Sequence, residues 1–229
     1  MKAKIIEFAT EIDFINLPKP ARSYIPEWYK KTEKFFGGKR KLNQLIGSTT
    51  VKGCVPFLDA FTTGYILELF QDVEVIKTTD SLSQFRWNSE PEPLEIRNQE
   101  INSSIPMSIE YTEQHFAWSL FFNFKTPKNY SFLITHPLNR FDLPFTTLSG
   151  IVDADNVISN GKLPFFLKKD FEGIIPKGTP IAQLLPFKRE NWKAIENKKI
   201  IEVGKNHKFN SVISTGFYQK NLWKKKNFN

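Results

Sequence analysis

Glu172-Gly-Ile-Ile-Pro-Lys-Gly-Thr-Pro-Ile-Ala-Gln-Leu-Leu-Pro-Phe187 decides how this chain folds. Glu172–Ile175 reads as a short strand. Pro176-Lys177-Gly178 turns the chain, and Thr179–Phe187 returns as a longer strand. The same grammar extends upstream. Tyr65–Lys77, Gln84–Asn88, Phe116–Phe124, Tyr130–Thr135, Thr146–Asp153 and Leu163–Lys168 read as strands. Turn signals lie between them, among them Ser89–Pro93 and Thr126–Asn129. Short strands at such spacing build a sandwich or barrel. Residues 4–15 read as an opening strand. Pro26–Phe36 reads as a short helix that starts on proline and stops at Gly37-Gly38, with Trp28 and Phe35 toward the core. Residues 42–63 are mixed, because Gly53 and Pro56 interrupt any long element. Asn191–Glu196 and Ser211–Lys226 read as helical or mixed.

Phenylalanine is the compositional outlier, at 22 of 229 residues against 2 methionines. Bulky aromatics suit the pleated, half-buried surfaces of a β-rich core. Hydrophobic residues make up 40% and charged residues 24%, a globular balance. The net charge of +8 is unevenly placed. Residues 188–229 hold 11 Lys or Arg and 3 acids, a net of +8, which leaves residues 1–187 neutral. We therefore expect one domain over 1–229, a β body over about 1–187 with a basic C-terminal appendage over 188–229. The appendage reads either as a solvated helix end or as a weak contact for a polyanion. Its Trp192, Phe217, Tyr218 and Trp223 either stack on bases or anchor the segment to the core.

One cysteine, Cys54, excludes an intrachain disulfide and fits a reducing compartment. Beside Val55 and Pro56 it reads as buried filler. The N-terminus lacks the unbroken apolar core of a signal peptide, being interrupted by Glu7 and Glu11. The longest apolar runs, such as Trp118–Phe122, fall far short of the roughly 18–20 residues that cross a bilayer. These features predict a cytoplasmic chain with no membrane partner. His115, His136 and His207 are scattered and show no zinc-ligand spacing, so no metal site is expected from them. The Gly-x-Ser-x-Gly elbow, the phosphate loop and the dinucleotide fingerprint are all absent.

The polar-rich stretch is Thr135–Asn156. It places His136, Asn139, Arg140 and Asp142 after one strand, and Asp153, Asp155 and Asn156 at the end of the next. If the strand continues, period-two alternation points Asp153 and Asp155 to one side. Two such carboxylates divide acid and base roles, or hold a divalent cation through oxygen. The competing reading is turn chemistry for Asp-Ala-Asp-Asn and a local ion pair for Arg140–Asp142.

The order of motifs resembles the dUTPase and dCTP-deaminase superfamily, a β-clip fold. Gly150-Ile-Val-Asp153-Ala-Asp155 resembles its G-x-I-D-x-D strand end. Lys177-Gly178-Thr-Pro-Ile-Ala-Gln183 resembles its K-G-D-x-I-A-Q turn and strand. Thr63-Gly64-Tyr65-Ile66-Leu67, with Asp72-Val73, is similar to its A-G-Y-D-L strand, and Ile134–Leu143 falls where P-R-S-G would lie. Ile66 replaces the motif's Asp, His136-Pro-Leu-Asn-Arg140 replaces P-R-S-G, and Asn156 stands where a stacking Tyr would be. Of the family's glycine-rich closing tail there is only Ser214-Thr-Gly-Phe217. Gln183 is retained, with a structural role in the hairpin as well. The whole chain also resembles a family of about this length found in phages and marine bacteria, through Ile25–Tyr29, Thr135–Phe145 and Gly173–Arg189; this implies a phage-encoded protein in a host cytoplasm.

The resemblance implies a mainly β, compact dUTPase-like barrel or sandwich with a short N-terminal helix and a C-terminal helical appendage. It implies a scaffold that no longer performs the dUTPase reaction and holds a nucleotide-like anionic small molecule, with no cofactor. The ligand-binding candidates are His136, Asn139, Arg140, Asp142, Asp153, Asp155, Asn156 and Gln183. The alternatives are a hydrolase rebuilt from the His and carboxylate positions, and a structural or host-interaction protein with a basic tail. Homo-oligomers, commonly trimers with shared sites, are implied by the same resemblance. A cupin jelly roll is the second fold reading, weakened by the missing His cluster.

Overall fold

The computed structural model describes residues 4–38, 49–77, 83–97, 105–106, 108–213 and 216–229. Part of the mixed stretch 42–63 and the Ser214-Thr215 echo lie outside these residues. The architecture is mainly β, with all the described strands paired antiparallel in four sheets.

In chain order the strands are β1 (Glu7–Ala9), β2 (Lys19–Pro20), β3 (Tyr65–Glu68), β4 (Val73–Lys77), β5 (Ser83–Arg86), β6 (Leu94–Ile96), β7 (Tyr111–Ser119) and β8 (Asn123–Lys125). They continue as β9 (Tyr130–Thr135), β10 (Phe145–Thr147), β11 (Gly150–Asp153), β12 (Ile158–Ser159), β13 (Lys162–Lys168), β14 (Gly173–Ile175) and β15 (Pro180–Lys188). The helices are α1 (Glu27–Lys31), α2 (Val55–Thr62) and α3 (Ile200–Ile213), with 3-10 turns at Ala21–Tyr24 and Val51–Gly53 and a π-helical turn at Tyr218–Leu222. The five-stranded sheet runs β11-β9-β15-β3-β2 and the four-stranded sheet β10-β13-β7-β6. Two three-stranded sheets, β1-β8-β12 and β14-β4-β5, complete the body.

The phenylalanine excess is spent where the sheets meet. Trp118 of β7 stacks on Phe165 of β13 with centroids 3.8 Å apart and planes 7° from parallel. Phe145 meets Trp118 edge-on at 4.9 Å, and Phe85 meets Phe116 edge-on at 4.8 Å. The Trp118 indole N–H donates to Thr147 Oγ1 at 3.2 Å, so its polar end is satisfied inside the core. Thr147 in turn donates to the Ile181 carbonyl at 2.6 Å, joining the two larger sheets.

Several expectations need correction. The opening strand shrinks from 4–15 to Glu7–Ala9, because only those residues find a partner, in β8. The helix expected over 26–36 stops at Lys31; Tyr29 is its buried residue at 2% exposure, while Trp28 is 38% exposed. Pro56 does not break structure in its stretch: it sits in the first turn of α2, where its missing N–H costs nothing. Cys54, expected to be buried filler, is exposed just ahead of that helix. Tyr65–Lys77 divides into β3 and β4 around Leu69–Asp72, Phe116–Phe124 into β7 and β8, and Thr146–Asp153 into β10 and β11. Strand β6 follows the Ser89–Pro93 loop without having been expected. Asn191–Glu196 carries no regular structure; the appendage has an α-helix at Ile200–Ile213 that begins ahead of the expected span, and a short π-helical turn at Tyr218–Leu222 within it.

Gly64 shows why a residue type is fixed. Its φ is +79°, and a Cβ there would lie 2.1 Å from the Leu184 carbonyl oxygen of β15. We expect Phe165→Ala to cost about 3–5 kcal/mol in urea denaturation, the usual range for deleting a buried aromatic. A loss below about 1 kcal/mol would mean that the Trp118 stack does not anchor the core.

Candidate functional site

Strand register places the sequence candidates in two groups. Asp153 pairs opposite Ser131, at the start of β9, and Gly150 opposite Ile134, near its end. His136 follows Thr135 at the end of β9. Five residues of extended chain, at roughly 3.3 Å each, put Asp153 about 17 Å from the His136 turn. The structure therefore does not bring His136, Arg140, Asp142, Asp153 and Asp155 into one constellation.

The first group holds the chain together. The Thr147 N–H donates to His136 Nδ1 at 3.3 Å, so the ring proton sits on Nε2, 3.1 Å from the Arg140 carbonyl. Both ring nitrogens are thus engaged by backbone. Burial, with the charges of Arg140 and Lys168, holds the His136 pKa below its ordinary value against the opposing Arg140 backbone bond and Asp142 charge. Asn139 takes φ +60° in the tight turn from Pro137 to Arg140, a conformation Asn tolerates well. Arg140 grips Asp142 bidentately, with Nε to Oδ1 at 2.9 Å and Nη2 to Oδ2 at 2.8 Å. Burial pushes the Asp142 carboxyl up, but Arg140's hydrogen bonds and charge, with a hydrogen bond from Trp28, bring it below its usual range.

Gln183 is 1% exposed and fully paired. Its Oε1 accepts from the Leu138 N–H at 2.9 Å, and its Nε2 donates to the carbonyls of Ala60 and Thr63 at 2.9 and 2.6 Å. It ties the 137–140 turn to the end of α2. Beside this group lies a crevice of about 10 Å³ between Tyr24, Arg140 and Gln183, room for no more than a water.

The second group borders open space. A groove of about 730 Å³ is lined by Lys4, Ile5, Glu7, Lys125, Thr126, Pro127, Lys128, Asp155 and Asn156. The β1–β8 pairing sets Glu7 opposite Lys125, bringing the N-terminal segment to one wall. Lys4 lies 5.9 Å from the Tyr130 ring centroid, within cation–π reach. Among the described residues, Lys4, Lys125 and Lys128 have no carboxylate within ion-pair distance. Asn156 is exposed on the rim.

Asp153 and Asp155 do point to one side, and Arg189 fills the space between them. Its Nη1 lies 3.1 Å from Asp153 Oδ1, and its Nη2 bonds Asp155. Ser131 donates to Asp153 at 2.6 Å and the Asn129 N–H to Asp155 at 3.1 Å. The Asp153 carboxyl is lowered by the hydrogen bonds from Ser131 and Arg189, and that of Asp155 by those from Arg189 and the Asn129 N–H. Their oxygens thus face a guanidinium and N–H or O–H donors, an arrangement opposite in sign to a cation cage. No group of three or more His, Cys, Asp or Glu suited to a metal exists among the described residues.

Sequence reading missed Arg189, Lys4, Lys125 and Lys128. Lys125-Thr-Pro-Lys128 was legible as a turn with a cation at each end, yet only strand pairing brings Asp155 and Lys4 beside it. A separate polar cluster was also missed. Glu68 accepts from Tyr24 O–H, from Lys19 Nζ at 3.0 Å and from Asn16 Nδ2 at 2.6 Å. It fastens the N-terminal segment to β3. Burial pushes Glu68 up, but these donors outweigh it and hold the carboxyl low.

No protein-family model matches the sequence, and no curated protein matches it. Among solved structures the chain is similar to phage dUTPases. A point mutant of the Staphylococcus bacteriophage 80alpha dUTPase aligns at 11% identity and a TM-score of 0.39, over 85% of this chain and 96% of the other. Another 80alpha mutant, with dUpNHpp, aligns at 12% identity and a TM-score of 0.37, over 85% and 88%. A mutant dUTPase from phage phi11 of S. aureus, described with a structural Mg(II) ion, aligns at 10% and 0.38, over 85% and 97%. Among the described residues, no helix is long and apolar enough to cross a membrane.

Two outcomes follow from this geometry. Gln183→Leu strands one buried N–H and two buried carbonyls, so we expect a loss of about 2–5 kcal/mol in urea denaturation; a neutral result would mean the three bonds add nothing. His136 and His115 both have folded pKa values depressed, the latter by burial and by Arg97. The unfolded chain therefore takes up protons near pH 6.5 before the folded one does. Stability is full above about pH 6.5 and falls as the pH drops. His136→Gln should flatten that fall between about pH 6.5 and 5, and an unchanged slope would show that His136 does not contribute.

Proposed function

We propose that the chain binds a nucleotide-like anionic small molecule in the groove bordered by Lys4, Lys125, Lys128 and Asn156. The observation that carries this reading is the set of three lysines, unpaired among the described residues, around about 730 Å³ of open space. That volume lies within the range of small-molecule sites. Unpaired ammonium groups on one concavity attract phosphate, and the Asn156 amide offers both a donor and acceptors to a sugar or base edge.

Arg189 makes the groove usable by an anion. Asp155 lines it, and a bare carboxylate there would repel phosphate. Arg189 neutralises one unit of the Asp153–Asp155 charge and keeps both carboxylates turned toward itself. The lysine charge then exceeds the remaining acids, which are Glu7 and the residual unit of the pair. Arg189 is a positioning residue in this reading and need not touch the ligand.

Isothermal titration at low salt against pyrophosphate and a panel of nucleoside mono-, di- and triphosphates tests the proposal. Binding of at least one member is expected, and silence from all of them sinks it. Lys125→Gln and Lys128→Gln should each weaken binding by roughly two- to fivefold, the scale of exposed charge pairs. Arg189→Gln should weaken it too, and adding Asp155→Asn in that background should restore it. Failure of the second change to rescue the first would refute neutralisation as the role of Arg189.

A further inference from the structure

We infer that residues 190–222 form a handle that binds single-stranded nucleic acid. The segment is fastened to the body on both sides. At the near end Arg189 clasps Asp153 and Asp155, and its N–H donates to the Asn129 carbonyl at 2.8 Å. At the far end the Trp223 indole donates to Asp59 at 2.9 Å, and Lys226 reaches the same carboxylate. Phe228 packs edge-on against Tyr65 at 5.8 Å, and Arg22 donates to Asn229 at 3.1 Å. Every residue from 190 to 209 is exposed.

The structure thus divides the basic appendage into two jobs. Arg189, Trp223, Lys226, Phe228 and Asn229 hold it in place. Trp192, at 85% exposure, and Phe209, at 66%, are offered to solvent. Lys193, Lys199, Lys220, Lys224 and Lys225 have no ion pair among the described residues. Trp192 is followed directly by Lys193, an exposed ring next to an exposed cation. Aromatic faces that stack bases, interleaved with cations that meet phosphates, are what an unpaired strand requires.

Charge and geometry favour that occupant over a second copy of the chain. Residues 1–187 are neutral, so a second body offers no net electrostatic attraction to a segment that carries six lysines and three acids, a net of +3. Among the described side chains of α3, the exposed large apolar ones are Ile200, Ile201, Val203 and Phe209. At about 100° per residue they spread around the helix and make no single stripe for a partner helix to bury. Fastening at both ends also limits the conformational freedom that binding would otherwise remove.

Fluorescence anisotropy with labelled dT15 and U15, using the full chain at about 50 mM salt, tests this. Both strands supply phosphates and stacking faces, and their ratio tells whether DNA or RNA is preferred. We expect saturable binding, weakening with salt at a log–log slope of about −3.5 for some five phosphate contacts. Trp192→Ala should weaken it about tenfold with no change in thermal unfolding, because the ring is exposed. No anisotropy change up to about 100 µM would overturn the inference, at a salt level that favours phosphate contacts. Equal affinity of Trp192→Ala and wild type, or equal affinity for a duplex of the same length, would overturn the stacking role. A doubled mass in light scattering that Trp192→Ala abolishes would assign the handle to a second copy instead.

Discussion

The amide of Gln183 is buried and can remain so only if its oxygen and its N–H groups are all bonded. It meets that demand through the Leu138 N–H and the carbonyls of Ala60 and Thr63. Three segments distant in sequence are thereby fixed to the centre of one sheet. The end of α2 is held, so Gly64 must turn with positive φ directly against Leu184. The Pro137–Arg140 turn is held, so His136 faces Thr147 rather than solvent. Strand β15 then runs from this junction to Arg189, whose place beside Asp153 follows from the pairing of Phe187 with Ser131. A buried polar group thus sets the frame from which the surface charges hang.

The electrostatics divide along the same strand. Near Gln183 the polar groups answer one another: His136 is neutral and engaged, and Arg140 is matched by Asp142. At the far end the balance is incomplete. One guanidinium serves two carboxylates, and three lysines nearby have no acid of their own among the described residues. Charges matched inside a fold hold it together; charges left over at a concavity are available to a ligand.

Much of the fold was legible in the sequence. Tyr130–Thr135 was read residue for residue, because an apolar run between a Pro-Lys-Asn turn and His-Pro admits little else. The Pro176-Lys-Gly178 turn was equally plain. Short strands such as β1 and β6 were not legible in the same way. Their length is set by the partner strand rather than by any local pattern, so the opening segment looked longer and β6 passed for loop. The site was read less fully. Alternation would send Asp153 and Asp155 to one side only in a continuing strand; β11 ends at Asp153, and it is Arg189 that draws both carboxylates together. His136 and Arg140 looked related to them only because 14 residues of turn-rich sequence hid a hairpin that carries them to its opposite end. The lysines were invisible, since their proximity arises from the pairing of β1 with β8 across more than 110 residues.

The edges of the five-stranded sheet carry a consequence for life in a crowded solution. On one side the sheet stops at β2, two residues long and ending in Pro20, which has no N–H to offer another chain. On the other it stops at β11, four residues long, where Ile151 is largely exposed and would welcome a neighbour. The last residue of that edge is Asp153, bound to Arg189. An incoming strand would have to settle alongside a fixed ion pair and displace or bury it. Short edges ending in proline or charge are how β proteins discourage sheet-to-sheet growth. The clasp at Arg189 thereby also acts as a guard against aggregation, placed where the sheet would otherwise be most open to it.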